Sequence, residues 1–353
     1  MAVSVAVIGC GTVARSYYAP ALRRLIAEGR VGSVRLFDVS AARANDLATG
    51  LPASTVAPSW DHVLKAADDL AVVASSPVVH AEQVRALLEH GKHVLCEKPF
   101  ALGRGTAGRL ADLARETGLV CAVGMVRRFA RSACLLRQLL SEERPTRLAW
   151  REGGPFRWPV ESPAYFAPGT GNQLLWDVGS HLLDLLVWWL GPPRLLSCSD
   201  DAMGGMATNC LLELEWPDGC RGEVRLSREY DLSSGLVIER PSGSLVCGDV
   251  TELDVLMGTG APADPGFRQA IPGTSSPAGR TFLDCFDVQL ENVLAAVRGS
   301  AELWVRADDV LDGINALAET DAAGELLESP WFSADEVTRA RALHDGAREA
   351  ARP

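Results

Sequence analysis

Several things are missing from this sequence. None of its nine cysteines stands in a C-x-x-C pair, and their number is odd. A structural zinc site and a full disulfide framework are therefore not expected. Several of the cysteines sit in apolar runs, where a free thiol behaves as a small hydrophobe, and this usage fits a reducing, cytoplasmic compartment. Basic charge is short too: 34 Lys+Arg face 45 Asp+Glu, a net of −11. Such a chain carries no footprint for nucleic acid or an anionic membrane. The start, Met1 to Ile8, has no positively charged leader or small-residue cleavage site. The one strongly apolar stretch, Leu174 to Leu190, contains Asp177, His181 and Asp184. Ionisable groups are too costly there for a lipid-facing span, so it reads as a buried helix. No internal repeat or low-complexity tract interrupts the chain.

What is present is an ordinary globular composition, 47% hydrophobic and 22% charged over 353 residues. That length predicts about two domains. Short apolar runs at 3–8, 34–37, 70–74, 93–96 and 119–123 alternate with amphipathic helical patterns such as 78–90 and 103–117. Strand–helix alternation of this kind predicts a parallel sheet covered on both faces. The rhythm changes near residue 124. Glycine and proline crowd 151–172 and 257–280, where irregular loops are expected. Cys210, Leu212, Leu214 and Trp216 alternate with Leu211, Glu213 and Glu215, as in a one-sided antiparallel sheet, and Pro241-Ser242-Gly243 reads as a hairpin turn. Helices follow from about 282 to 297, 307 to 323 and 334 to 350.

Three motifs carry chemistry. Gly9-Cys10-Gly11-Thr12-Val13-Ala14 follows the first strand and opens a helix. Gly9 allows the tight turn, Gly11 lets the backbone approach a pyrophosphate, and the helix N–H groups of Thr12 and Val13 face the phosphates. Asp38, ending the second strand, is placed to bind a ribose diol and to repel a 2′-phosphate. NAD is thus favoured, with NADP left open. In Cys96-Glu97-Lys98-Pro99, the proline holds Lys98 extended at a strand's carboxyl end, where open parallel sheets bind ligands. A cationic nicotinamide nearby would lower the pKa of that lysine; a solvated surface lysine is the other reading. In the third motif, Asp177, His181 and Asp184 are spaced to share one helix face. A histidine between two carboxylates suits a general base, a metal site or a hydrogen-bonded core cluster.

In this order, the motifs resemble the glucose–fructose oxidoreductase/inositol dehydrogenase/rhizopine catabolism (Gfo/Idh/MocA) family. Ser76-Pro77-Val78-Val79-His80, Arg127-Arg128-Phe129 and the stretch Gly171 to Asp184 look like its other landmarks, and the resemblance runs from residue 3 to about 325. It implies an α/β Rossmann domain with a parallel doubly wound sheet over 1–123. An α+β domain with a largely antiparallel open sheet would follow over 124–353, the helix near 307–323 packing back on the first. It also implies an NAD(P)-dependent dehydrogenase or reductase of a sugar-like secondary alcohol. Gly9, Cys10, Gly11, Thr12, Val13 and Asp38 would hold the dinucleotide, and Ser76, His80 and Glu97 would line the path to the nicotinamide ribose. Lys98 would sit by the substrate hydroxyl, and His181, oriented by Asp177, would take its proton without a metal. Arg127, Trp158, Tyr165, Trp176 and Asp184 are candidate substrate contacts. Similar proteins form dimers or tetramers through the open face of the second sheet, expected to be apolar. An NAD-dependent glycosidase working by transient oxidation and a nicotinamide-sensing regulator are the rival expectations.

Overall fold

The computed structural model describes residues 2–156, 165, 169–202, 206–247, 255–258, 268–269, 278–328 and 333–350. Of the expected contacts, Trp158 lies outside the described residues. The chain forms two compact units, and neither is one continuous segment. The first joins Met1–Phe129 to Thr281–Leu311; the second joins Ala130–Arg280 to Asp312–Pro353.

In the first unit, β1 (Val3–Ile8), β2 (Val31–Phe37), β3 (Ser54–Val56), β4 (Leu70–Val73), β5 (His93–Glu97) and β6 (Cys121–Gly124) form one parallel sheet in the order β3-β2-β1-β4-β5-β6. Every residue of β4 and β6 is buried. Such strands read as continuous apolar runs because helices cover both faces of the sheet. The connecting helices are α1 (Ala19–Ala27), α2 (Ala41–Thr49), α3 (Trp60–Lys65), α4 (Pro77–Glu89) and α5 (Arg104–Thr117). The Ser59 hydroxyl accepts the His62 N–H to cap α3, and Gly118, at φ +69°, ends α5. The strand order reverses direction between β1 and β4, so the crevice at their carboxyl ends is the switch point where open α/β sheets bind ligands.

The second unit begins with α6 (Arg131–Glu142), β7 (Arg147–Gly153) and α7 (Ser180–Leu190), whose first turns from Leu175 to Gly179 are π-helical. Then come β8 (Arg194–Asp200), β9 (Asn209–Glu215), β10 (Arg221–Ser227), β11 (Gly235–Arg240), β12 (Gly243–Cys247), β13 (Leu256–Gly258) and β14 (Arg268–Gln269). The chain next returns to the first unit for α8 (Phe282–Val297), which Thr281 and Asp284 close with a capping box. It finishes in the second with α9 (Leu311–Ala323), β15 (Glu325–Leu326) and α10 (Ala334–Ala350). The second sheet runs β14-β13-β12-β11-β7-β10-β9-β8-β15 and is largely antiparallel, with parallel pairs among the described residues at β10–β7 and β15–β8. Leu212, Leu214, Val224, Leu226 and Trp150 fill its inner face.

The opposite face differs from expectation. Among the described residues it is mixed rather than apolar: Arg194 and Arg221 pair with Glu215, and Arg225 with Glu223, beside the exposed Leu196 and Val237. Strand alternation puts these charges on the solvent side once the leucines face inward.

Candidate functional site

The loop after β1 is built around one backbone position. Gly9 has φ +90°, and a Cβ there would meet the Ala74 carbonyl oxygen at 2.5 Å and the Ser75 nitrogen at 2.6 Å. Only glycine suits a left-handed φ at such close approach to the end of β4. Gly11 differs, since a Cβ there would meet nothing within 4 Å. The backbone of Gly11 thus borders open space, into which a pyrophosphate fits and a side chain would intrude. Thr12 and Val13 start the helix that leads through a π-helical turn at Ala14–Tyr18 into α1.

Asp38 shapes this cradle. Its two oxygens accept the Cys10 and Ser40 N–H groups, each at 2.8 Å, and Arg43 lies 3.8 Å away. The carboxylate expected at the ribose therefore also ties the glycine loop to the end of β2. Cys10 is fully buried, and burial together with the Asp38 charge pushes its thiol up to about 12. It is a neutral core group. The residues present fit a dinucleotide: a positive-φ glycine, an open approach at the second glycine, and a carboxylate at the end of the neighbouring strand.

The other first-unit residues meet the same sheet edge. Ser76 precedes α4, and His80, on that helix, is 1% exposed. Its ring nitrogens lie 2.9 Å from the Pro99 carbonyl and 3.1 Å from the Ser75 carbonyl. His80 thereby sits between the end of β4 and the cis Lys98–Pro99 turn after β5. Burial lowers its pKa while the two carbonyl contacts oppose that shift, and a neutral ring, with one N–H, donates to only one of the two carbonyls. Glu97 is buried, and desolvation raises its pKa while the Tyr18 hydroxyl and the Lys98 charge pull it back. Lys98 is half-buried. In the short helix Val126–Phe129, Arg128 is buried and donates to the Asp309 carbonyl, whereas Arg127 is partly exposed.

In the second unit, His181 is 8% and Asp184 2% exposed, both on α7. Asp177 lies in the preceding π-helical turn and pairs with Arg228 at 2.5 Å. Arg228 also donates to the Asn172 carbonyl at 2.8 Å and stands over the Phe156 ring. Asn172 in turn donates to the Tyr165 carbonyl at 3.0 Å. Asp184 packs beside Gly313 of α9, where a Cβ would lie 3.4 Å from its Cα. Trp176 is buried, its indole N–H donating to Asp321 at 3.0 Å. That bond anchors it in the core of the unit.

Three residues were not singled out by the sequence reading. Arg228 anchors Asp177, and Tyr18 and Gln289 support Glu97. Nothing in their local sequence marks Arg228, which stands among polar residues, or ties Tyr18 and Gln289 to Glu97.

Residues 3–125 match the model of an oxidoreductase family with an NAD-binding Rossmann fold. An uncharacterised oxidoreductase of Schizosaccharomyces pombe is 34% identical, but the match spans 36% of this chain and 35% of that protein. Inositol 2-dehydrogenase 3 of Saccharopolyspora erythraea is 28% identical over 93% of this chain and 94% of its own length. Among solved structures, KijD10, a 3-ketoreductase from Actinomadura kijaniata in complex with NADP and TDP-benzene, gives a TM-score of 0.78. It is 19% identical and covers 94% of this chain and 100% of its own. That likeness establishes the fold of the chain.

Proposed function

Since residues 3–125 match the Gfo/Idh/MocA oxidoreductase family model and the chain is similar to members of that family, we propose that it is an NAD(P)-dependent dehydrogenase or reductase. Its substrate would be a secondary alcohol or ketone of a sugar, cyclitol or nucleotide sugar. The observation that carries this reading is that the glycine loop after β1 and Lys98 after β5 emerge at one carboxyl edge of the parallel sheet, with His80 set between the Ser75 and Pro99 carbonyls at that edge. A similar inositol 2-dehydrogenase and a fold relative, a 3-ketoreductase bound to TDP-benzene, favour the substrate class.

A bound nicotinamide supplies the two-electron acceptor for hydrogen leaving the carbinol carbon. The protein's part is proton transfer and charge. His181 takes the hydroxyl proton, a role that suits an imidazole because its ordinary pKa lies near neutrality. Lys98 offers positive charge where an alkoxide develops, which lowers the barrier most in a site shielded from water. Asp177 is held in place by Arg228, which fixes the start of the helix that carries His181. Gly9 to Val13 with Asp38 hold the dinucleotide. Asp38 favours NAD, and the nearby Arg43 makes acceptance of NADP a question for measurement.

A panel of polyols, cyclitols and nucleotide sugars, assayed by nucleotide absorbance with NAD and with NADP, tests the proposal. Turnover on one class supports it. Nucleotide binding without turnover on any class would favour a regulator, and release of sugar from aryl glycosides without net NADH would favour a glycosidase.

A further inference from the structure

Glu97 is held by a chain of buried hydrogen bonds that begins almost two hundred residues downstream. The Tyr18 hydroxyl donates to Glu97 Oε1 at 2.6 Å, and Gln289 Nε2 donates to the Tyr18 oxygen at 3.1 Å. The other carboxyl oxygen accepts the Lys98 N–H at 3.3 Å. The direction of the chain follows from the orientation of the Gln289 amide. With the amide nitrogen of Gln289 facing the phenol, that NH₂ donates, and the single phenol proton goes to the carboxylate. Tyr18 is fully buried and Gln289 1% exposed, and Gln289 Oε1 accepts from no group among the described residues. The bond to Tyr18 is therefore the visible use of that side chain.

The surroundings leave Glu97 no other place. A Cβ on Gly124 of β6 would lie 3.1 Å from its Cα, Cδ and Oε1. Phe286 of α8 meets the Tyr18 ring edge-on, with centroids 5.4 Å apart. The ionisable groups facing the carboxyl are Tyr18, Cys96 and Lys98. Gly124 and Gln289 contribute no charge. Burial pushes the Cys96 thiol and the Tyr18 phenol far above their ordinary values, so both stay neutral and Lys98 is the cation of the group.

We propose that Tyr18 and Gln289 are positioning residues for Lys98, keeping Glu97 an anion whose second oxygen orients the Lys98 peptide. The effect on turnover rests on the dehydrogenase reading; the effect on the carboxyl group does not. Protonating Glu97 adds a donor to a cluster whose other members, the Tyr18 O–H and the Lys98 N–H, already donate to it.

The test exploits a sign. The folded-state pKa of Glu97 is raised by burial, so stability falls as pH rises from the ordinary carboxylate range through the folded-state value. Tyr18→Phe keeps the ring and removes the proton donor, so the pKa rises further and the fall deepens and extends to higher pH. We would melt the full chain without nucleotide between about pH 5 and 9, as wild type, Tyr18→Phe, Glu97→Gln and the double variant. The expected Tm deficit of Tyr18→Phe grows with pH in the wild-type background and is flat in the Glu97→Gln background. The acid limb of kcat moves up by about one pH unit, with kcat falling more than KM rises. Gln289→Met, which removes the donor to Tyr18, is expected to shift both readouts the same way, less far, and serves if Tyr18→Phe does not fold. A deficit equal at all pH values in both backgrounds, or an unmoved acid limb, overturns the proposal. Melts that follow the expected pattern in a protein that turns over no substrate count against the dehydrogenase reading alone.

Discussion

Replacing Gly9 and Gly11 by alanine, one at a time, should separate the two tasks of the β1 loop. At Gly9 the new Cβ would lie 2.5 Å from the Ala74 oxygen and 2.6 Å from the Ser75 nitrogen, backbone atoms that cannot swing aside. The φ of +90° adds its own penalty for a residue with a side chain. Left-handed backbone costs on the order of 1–3 kcal/mol, and forced overlap in a packed interior costs about as much again. Roughly 2–5 kcal/mol is then expected, or a fall in Tm of about 5–15 °C for a unit of this size. At Gly11 nothing lies within 4 Å of the added methyl, so the melt should stay close to wild type. The methyl would instead stand between the backbone and a pyrophosphate, removing a hydrogen bond to a charged acceptor worth about 1.5–3 kcal/mol. NADH affinity should drop by roughly 10- to 100-fold. Thermal melts paired with NADH fluorescence titrations read both effects. A Gly11→Ala protein that binds NADH like wild type would refute pyrophosphate binding on this loop. A Gly9→Ala protein that melts like wild type would refute the packing argument at the switch point.

Other outcomes follow from single side chains. His181→Ala should reduce kcat by about 10²–10⁴, the usual worth of a proton-transfer group, with NADH affinity nearly unchanged; normal turnover would remove His181 from its role. Asp38→Asn sets an amide NH₂ against one of the two N–H groups the carboxylate now accepts. It should cost about 1.5–3 kcal/mol in chemical denaturation and shift the NAD-to-NADP affinity ratio toward NADP, and an unchanged ratio would free Asp38 of the proposed duty. Arg228→Lys cannot reach both the Asn172 carbonyl and Asp177 with one ammonium, so we expect a loss of roughly 2–3 kcal/mol. Stability equal to wild type would mean that the pairing contributes nothing.

What could be read in the sequence follows from how far each interaction reaches. Strands β1, β4 and β5 were legible because a parallel strand buried on both faces must be apolar throughout. The hairpin at Pro241-Ser242-Gly243 was legible because turns are written in adjacent residues, and it joins β11 to β12 as expected. The short β3, Ser54–Val56, carries too little apolar signal to stand out. The π-helical turns are silent because one widened turn barely alters apolar spacing. Contacts across the fold were hidden most. Arg228 is 51 residues from Asp177, Tyr18 is 79 from Glu97, and Gln289 is 271 from Tyr18. No periodicity links such positions. The charges on the outer face of the second sheet were visible as Glu213 and Glu215, yet the expectation of an apolar surface overrode them.

The discontinuity of the first unit bears on synthesis. Residues 305 and 307 pair with the β6 edge, and α8 brings Phe286 against Tyr17 and Tyr18. A ribosome delivers Phe129 long before Leu311, and at roughly 5–20 residues per second the delay is on the order of ten to forty seconds. Throughout that interval the nascent unit presents an unclosed strand edge and an uncovered aromatic face, the features that invite mispairing with neighbouring chains. Maturation of the first unit is thus tied to translation as far as Leu311. Elongation speed through the stretch that encodes the second unit sets how long a chaperone must stand guard over the first.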